Sequence, residues 1–130
     1  MCVVRINARV CETVVDRNVM MALRRSVGSV AFDEMFEDAL CDVTERLSAI
    51  ERSMGAQDMK EVSAAAQALS VIAARIGLRS VSGVAVTLVD CCASGDVVAA
   101  SAVAARLSRL GERCVLAAAE LSVDIGASAQ

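Results

Sequence analysis

AQALSVIAARIGL, residues 66–78, is the stretch that decides the fold. Its apolar residues Ala66, Leu69, Ile72, Ala73 and Ile76 recur at intervals of three and four, the spacing of one side of an α-helix. Upstream, Val62 and Ala65 continue the same stripe. Asp58 and Glu61 form a capping pair at its start, with Asp in the place of Ser or Thr. Gly77 closes it. Gln67, Ser70, Ala74 and, at one edge, Val71 lie off the stripe and face solvent or a partner.

The same spacing extends outward in both directions. Phe32, Met35, Phe36, Ala39, Leu40, Val43, Leu47, Ile50 and Met54 predict a helix from about Ser29 to Met54, with Gly55 as its stop signal. A further helix spans about Ser80 to Ala93, turning Val84, Leu88 and Cys91 or Cys92 inward. Ser94-Gly95-Asp96 is a turn ending in a new N-cap. The last helix runs from about Val97 to Ser122, with Ala100, Val103, Ala104, Leu107, Leu110, Cys114 and Leu121 on one side. Gly111 inside it costs about 1 kcal/mol relative to Ala. The closing GASAQ is expected to fray.

Towards the N-terminus, Val19, Met20, Leu23 and Val27 predict a short helix between Asp16 and Gly28. CVVRINARVC, residues 2–11, permits two readings. Val4, Ile6, Ala8 and Val10 alternate as in a strand, while Val3, Ile6, Val10 and Val14 repeat as in a helix. A helix is favoured, because a lone strand has nothing to pair with in a helical domain.

Composition agrees with helices. The chain has 130 residues, the length of one domain, and 56% are hydrophobic although only 2% are aromatic. Ala, Val, Leu and Ile suit close helix packing, and the absence of proline leaves long helices unbroken. The expected fold is all-α: an antiparallel four-helix up-and-down bundle with an extra N-terminal helical segment. Residues 16–122 form its core, 1–15 the N-terminal segment and 123–130 a flexible tail, all in one domain over residues 1–130.

Several function classes lose support at this stage. A net charge of −3 gives no footprint for nucleic acid. No apolar run reaches the roughly 18 residues of a membrane span, and no helix joins a basic face to an apolar one. Arg5 and Arg9 interrupt any signal-peptide core, so a cytoplasmic location is the default. The six cysteines, Cys2, Cys11, Cys41, Cys91, Cys92 and Cys114, contain no C-x-x-C, and the chain has no histidine to complete a zinc site. Cys41, Cys91 and Cys114 fall at or near expected core positions, where a thiol acts as a small hydrophobe. The adjacent Cys91-Cys92 pair is a weak hint of redox chemistry. The carboxylate pairs Asp33/Glu37 and Glu34/Asp38 face away from the apolar stripe. No metal site, no cofactor and no catalytic constellation is expected.

The helix at 66–78 resembles the signature helix of the histidine-containing phosphotransfer (HPt) domain of bacterial phosphorelays, whose pattern is roughly His-x-Leu-Lys-Gly-Ser-Ala-x-x-apolar-Gly. Leu69, Ala73, Ile76 and Gly77 fall in register with it, and Gln67 stands where the histidine belongs. Phe32 and Phe36, the Gly55–Asp58 turn and the Ser94-Gly95-Asp96 turn also resemble the family. The resemblance covers about 16–122 and implies a helical bundle with its reactive position exposed midway along a central helix.

Three departures remove the family's chemistry. Phosphoryl transfer needs a nucleophilic imidazole nitrogen, and the Gln67 amide has a delocalised lone pair. The family's charge-neutralising lysine is replaced by Ser70, and its space-making glycine by Val71. Ser63 and Ser70 lie one turn from Gln67, with no base to activate either.

Two functions follow as expectations. One is a non-catalytic HPt-like module that binds a response-regulator receiver domain or a histidine kinase without accepting phosphate. Its docking face would comprise Lys60, Ser63, Gln67, Ser70, Val71, Ala74, Arg75 and Arg79. The other is a structural or oligomerising helical protein unrelated to phosphotransfer. In that reading Val3, Val4, Ile6, Val10, Val14 and Val15 could pair two protomers as a homodimer or cover an exposed patch.

Overall fold

A computed structural model describes residues 15–128, and among them every regular element is an α-helix. In chain order these are α1 (Arg17–Val27), α2 (Ser29–Gly55), α3 (Met59–Arg75), α4 (Arg79–Ala93) and α5 (Val97–Ser128). Of the expected N-terminal segment, residues 1–14, with Cys2 and Cys11, lie outside the described residues, and Val15, expected to help pair protomers, is buried in the core. No helix among the described residues is long and apolar enough to cross a membrane.

One turn geometry is used three times. α2–α3, α3–α4 and α4–α5 are each joined by three residues whose middle member has a positive φ: Gln57 (57°), Gly77 (87°) and Gly95 (74°). In each turn that residue's N–H and the next one's reach back to carbonyls of the finished helix. Gln57 and Asp58 donate to Met54 and Ser53, Gly77 and Leu78 to Ala74 and Ala73, and Gly95 and Asp96 to Cys92 and Cys91. This Schellman pairing satisfies carbonyls that a helix end leaves open. The residue after the left-handed one then starts the next helix. Asp58 Oδ1 accepts the Glu61 N–H at 3.2 Å, and Asp96 Oδ1 accepts the Ala99 N–H at 3.0 Å. Leu78 offers no side-chain cap and is instead fully buried.

α1 is attached through Asp16. Its Oδ1 accepts the N–H groups of Asn18 and Val19, capping the helix. Its own N–H donates to the Gly77 carbonyl at 2.8 Å, fastening α1 to the α3–α4 turn. A Cβ at Gly77 would stand 3.0 Å from the Asp16 carbonyl oxygen, so the close approach as well as the positive φ calls for glycine.

α2 packs against α3 and α5, α4 packs against α3 and α5, and α1 lies across α2 and α5. The core is wholly apolar: no polar or charged side chain is buried among the described residues. Phe32 and Phe36 stack with ring centroids 5.2 Å apart. Around them the helices meet through small residues, Ala65, Ala66 and Ala73 on α3, Ala85 on α4, and Ala100, Ala104 and Ala118 on α5.

The structure corrects four expectations. Cys41 is exposed, because it sits between Phe36 and Val43 in sequence but about half a turn round the helix from both. The left-handed position after α2 belongs to Gln57, and Gly55 is the last helical residue. The tail at 123–130 is not wholly loose: α5 continues to Ser128 and Ile125 is buried against the core. Gly111 is no mere tolerated weakness, since a Cβ there would meet Leu47 Cδ1 at 2.5 Å. Cys91 and Cys92 are half-buried and Cys114 is buried.

Candidate functional site

Gln67 is the middle residue of α3, and its side chain is exposed. The buried side of the helix carries Val62, Ala65, Ala66, Leu69 and Ala73. At about 100° per residue, Lys60, Ser63, Gln67, Ser70, Val71, Ala74 and Arg75 occupy an arc of about 140° on the other side. Lys60, Val71, Ala74 and Arg75 are exposed, and Ser63 and Ser70 are half-buried. The expected face is therefore one surface, running the length of α3. Ala64, also exposed, lies within that arc between Val71 and Arg75 and was not singled out from the sequence.

Two members of the expected face have structural partners. The Ser70 hydroxyl donates to the Gln67 carbonyl at 2.7 Å, and the Ser70 carbonyl accepts the Ser82 hydroxyl of α4 at 2.8 Å. Ser70 thus ties α3 to α4 and has no base beside it that would make it a nucleophile. Arg79, the first residue of α4, places its Nε 3.5 Å from Asp16 Oδ2. It belongs with the α1 attachment more than with Gln67. No local sequence signal could have found that pair, because its two residues come together only when α1 crosses the α3–α4 turn.

The surface combines an amide, small apolar side chains and two cations. Val71, 58% exposed, and Ala74 form a small apolar centre beside the Gln67 carboxamide, with Lys60 at one end and Arg75 at the other. The carboxamide both donates and accepts hydrogen bonds.

Elsewhere, a cavity of about 340 Å³ opens between α2 and α5, lined by residues that include Leu47, Glu51, Ser108, Glu112 and Leu116. The Ser108 hydroxyl donates to the Glu51 carboxylate there. Among the described residues no group of three or more Cys, Asp or Glu side chains could hold a metal ion. Burial pushes the Cys92 thiol up, and the neighbouring Cys91 adds to the shift, which works against its activation as a nucleophile.

No family model, curated protein or solved structure matches the chain.

Proposed function

We propose that this chain is a non-catalytic, HPt-like signalling module. In this reading α2–α5 form an antiparallel up-and-down bundle. The outward side of α3 docks a receiver domain or a histidine kinase of a two-component phosphorelay, and no phosphoryl group is accepted. The observation that carries the reading is the exposed Gln67 at the centre of α3, where the resemblance would put the reactive histidine. Two further features favour it. Each long helix neighbours the one before and after it, and the last neighbours α2, as expected of a four-helix bundle. Val71 and Ala74 make the centre of the face apolar, which suits contact without transfer. The cytoplasm, where such relays operate, is the location that goes with this function.

The test pairs binding with phosphotransfer. The wild-type chain and a Gln67→His, Ser70→Lys, Val71→Gly variant are titrated with candidate receivers and incubated with their phosphorylated forms. Wild type is expected to bind without becoming labelled, and the variant to become labelled. Absence of binding to every receiver, together with a folded variant that takes no label, would refute the proposal. The competing reading, an oligomerising helical protein unrelated to phosphotransfer, draws support from exposed apolar side chains on α5.

A further inference from the structure

α5 carries a second stripe that the core does not use. Ala100, Ala104, Leu107, Cys114, Ala118 and Ile125 face inward. Away from these, and from Ala105 onward along the groove beside α2, Val98, Ala102, Ala105, Arg109, Glu112, Leu116, Ala119 and Val123 follow one another at alternating intervals of four and three. This is the 3.5-residue repeat of a helix that pairs with another helix. Val98 is 82% exposed, Leu116 63% and Val123 71%, unusually open for large apolar side chains. Ala102, Ala105, Arg109 and Glu112 are exposed as well, and Ala119 is half-buried. The stripe is about 38 Å long at 1.5 Å per residue.

Its spacing reads the same from both ends. The pairs 98/123, 102/119, 105/116 and 109/112 share one midpoint, between Leu110 and Gly111. Valine matches valine, alanine matches alanine, alanine matches leucine, and at the centre arginine matches glutamate. A two-fold axis through that midpoint would lay α5 antiparallel on a second α5. Val98 would then face Val123 of the partner subunit, and Ala105 would leave room for Leu116 of the partner subunit. Arg109 would face Glu112 of the partner subunit, twice over by symmetry. Among the described residues neither Arg109 nor Glu112 forms an ion pair within the protomer. The parallel alternative in the same register sets arginine on arginine and glutamate on glutamate, a repulsion that selects against it.

From this self-complementary stripe we infer that α5 is the interface of a two-fold homodimer, an antiparallel helix pair whose direction and register are set by Arg109 and Glu112. The occupant of the stripe is a second copy of this chain. The inference stands apart from the docking proposal. α5 packs against α2 and α4, so the dimer leaves the Gln67 side of α3 uncovered in both protomers.

The experiment is mass measurement in solution on the full chain, by sedimentation equilibrium over a concentration series. Wild type is expected to reach twice the 13.5 kDa protomer mass. Leu116→Glu and Val98→Glu, both at exposed positions, are expected to stay at the protomer mass with unchanged helical circular dichroism. Arg109→Glu and Glu112→Arg, made singly, are each expected to raise the dissociation constant about tenfold or more, and the double swap to restore it. A monomeric wild type would overturn the proposal. So would a Leu116→Glu chain that remains dimeric, as pairing through the N-terminal segment would produce. Failure of the double swap to recover dimerisation would overturn the antiparallel register.

Discussion

Gly111→Ala is the substitution on which the packing account is most exposed. In isolation the change should help, since glycine inside a helix is about 1 kcal/mol worse than alanine. At this position the added Cβ would stand 2.5 Å from Leu47 Cδ1, 2.9 Å from Cδ2 and 3.3 Å from Cγ. Carbon atoms rest at about 3.5–4.0 Å, so all three contacts are too close. Because Cγ is among them, turning one methyl aside does not clear the space. Leu47 is only 9% exposed but borders the cavity between α2 and α5, so turning into that space would relieve part of the clash at the cost of its present packing. Either Leu47 leaves its rotamer or α5 moves away from α2. Overpacking of this kind costs about 1–3 kcal/mol, and less the helix gain the net loss is about 1 kcal/mol. The assay is urea unfolding followed by far-UV circular dichroism, at one protein concentration for every variant because association shifts apparent stability. Gly83→Ala is the control: Gly83 lies inside α4, and a Cβ there meets nothing within 4 Å. It should stabilise by about 1 kcal/mol. Leu47→Ala should cost about 2–5 kcal/mol, and in that background Gly111→Ala should turn stabilising. If Gly111→Ala in the intact chain stabilises as much as Gly83→Ala, the close approach of α5 to Leu47 is refuted.

The turns and thiols give two more expectations. Gln57→Gly should stabilise by about 1 kcal/mol, since Gln57 holds a left-handed conformation that penalises any side chain, and a lower unfolding midpoint would contradict this. Gly77→Ala should destabilise by more than that, because strain at φ 87° adds to the 3.0 Å approach to Asp16. Timed alkylation at mildly alkaline pH should modify exposed Cys41 first and buried Cys114 last, with Cys92 slowed by its raised pKa. As the pH climbs towards the shifted Cys92 value, its reactivity should rise. The native state should lose stability over the same window, because the thiolate is disfavoured more in the folded chain than in the unfolded one.

How much was legible beforehand varies from element to element. The inward residues of α3 were readable almost one by one, because a single stripe there is flanked by polar or small residues. The capping roles of Asp16, Asp58 and Asp96 were readable too, since an acceptor side chain before an apolar repeat acts within three residues of itself. Cys41 was not readable, because a thiol is equally at home buried or exposed and only the rotation of α2 decides. The exposed Gln67 followed from the same periodicity as the core. The tie between Asp16 and Arg79 did not, being a meeting of distant chain segments.

By itself the sequence determined that this protein is helical, where four of the five helices start and stop to within a few residues, and that no histidine is available to carry a phosphoryl group. Those are local matters of period, caps and residue chemistry. The tertiary structure decided how closely α5 approaches α2 and how far it runs. Neither is a matter of helical period: Leu47 fits against a residue with no side chain at Gly111, and the burial of Ile125 carries α5 beyond its expected end. Val98, Leu116 and Val123 are left on the surface, free to meet another copy.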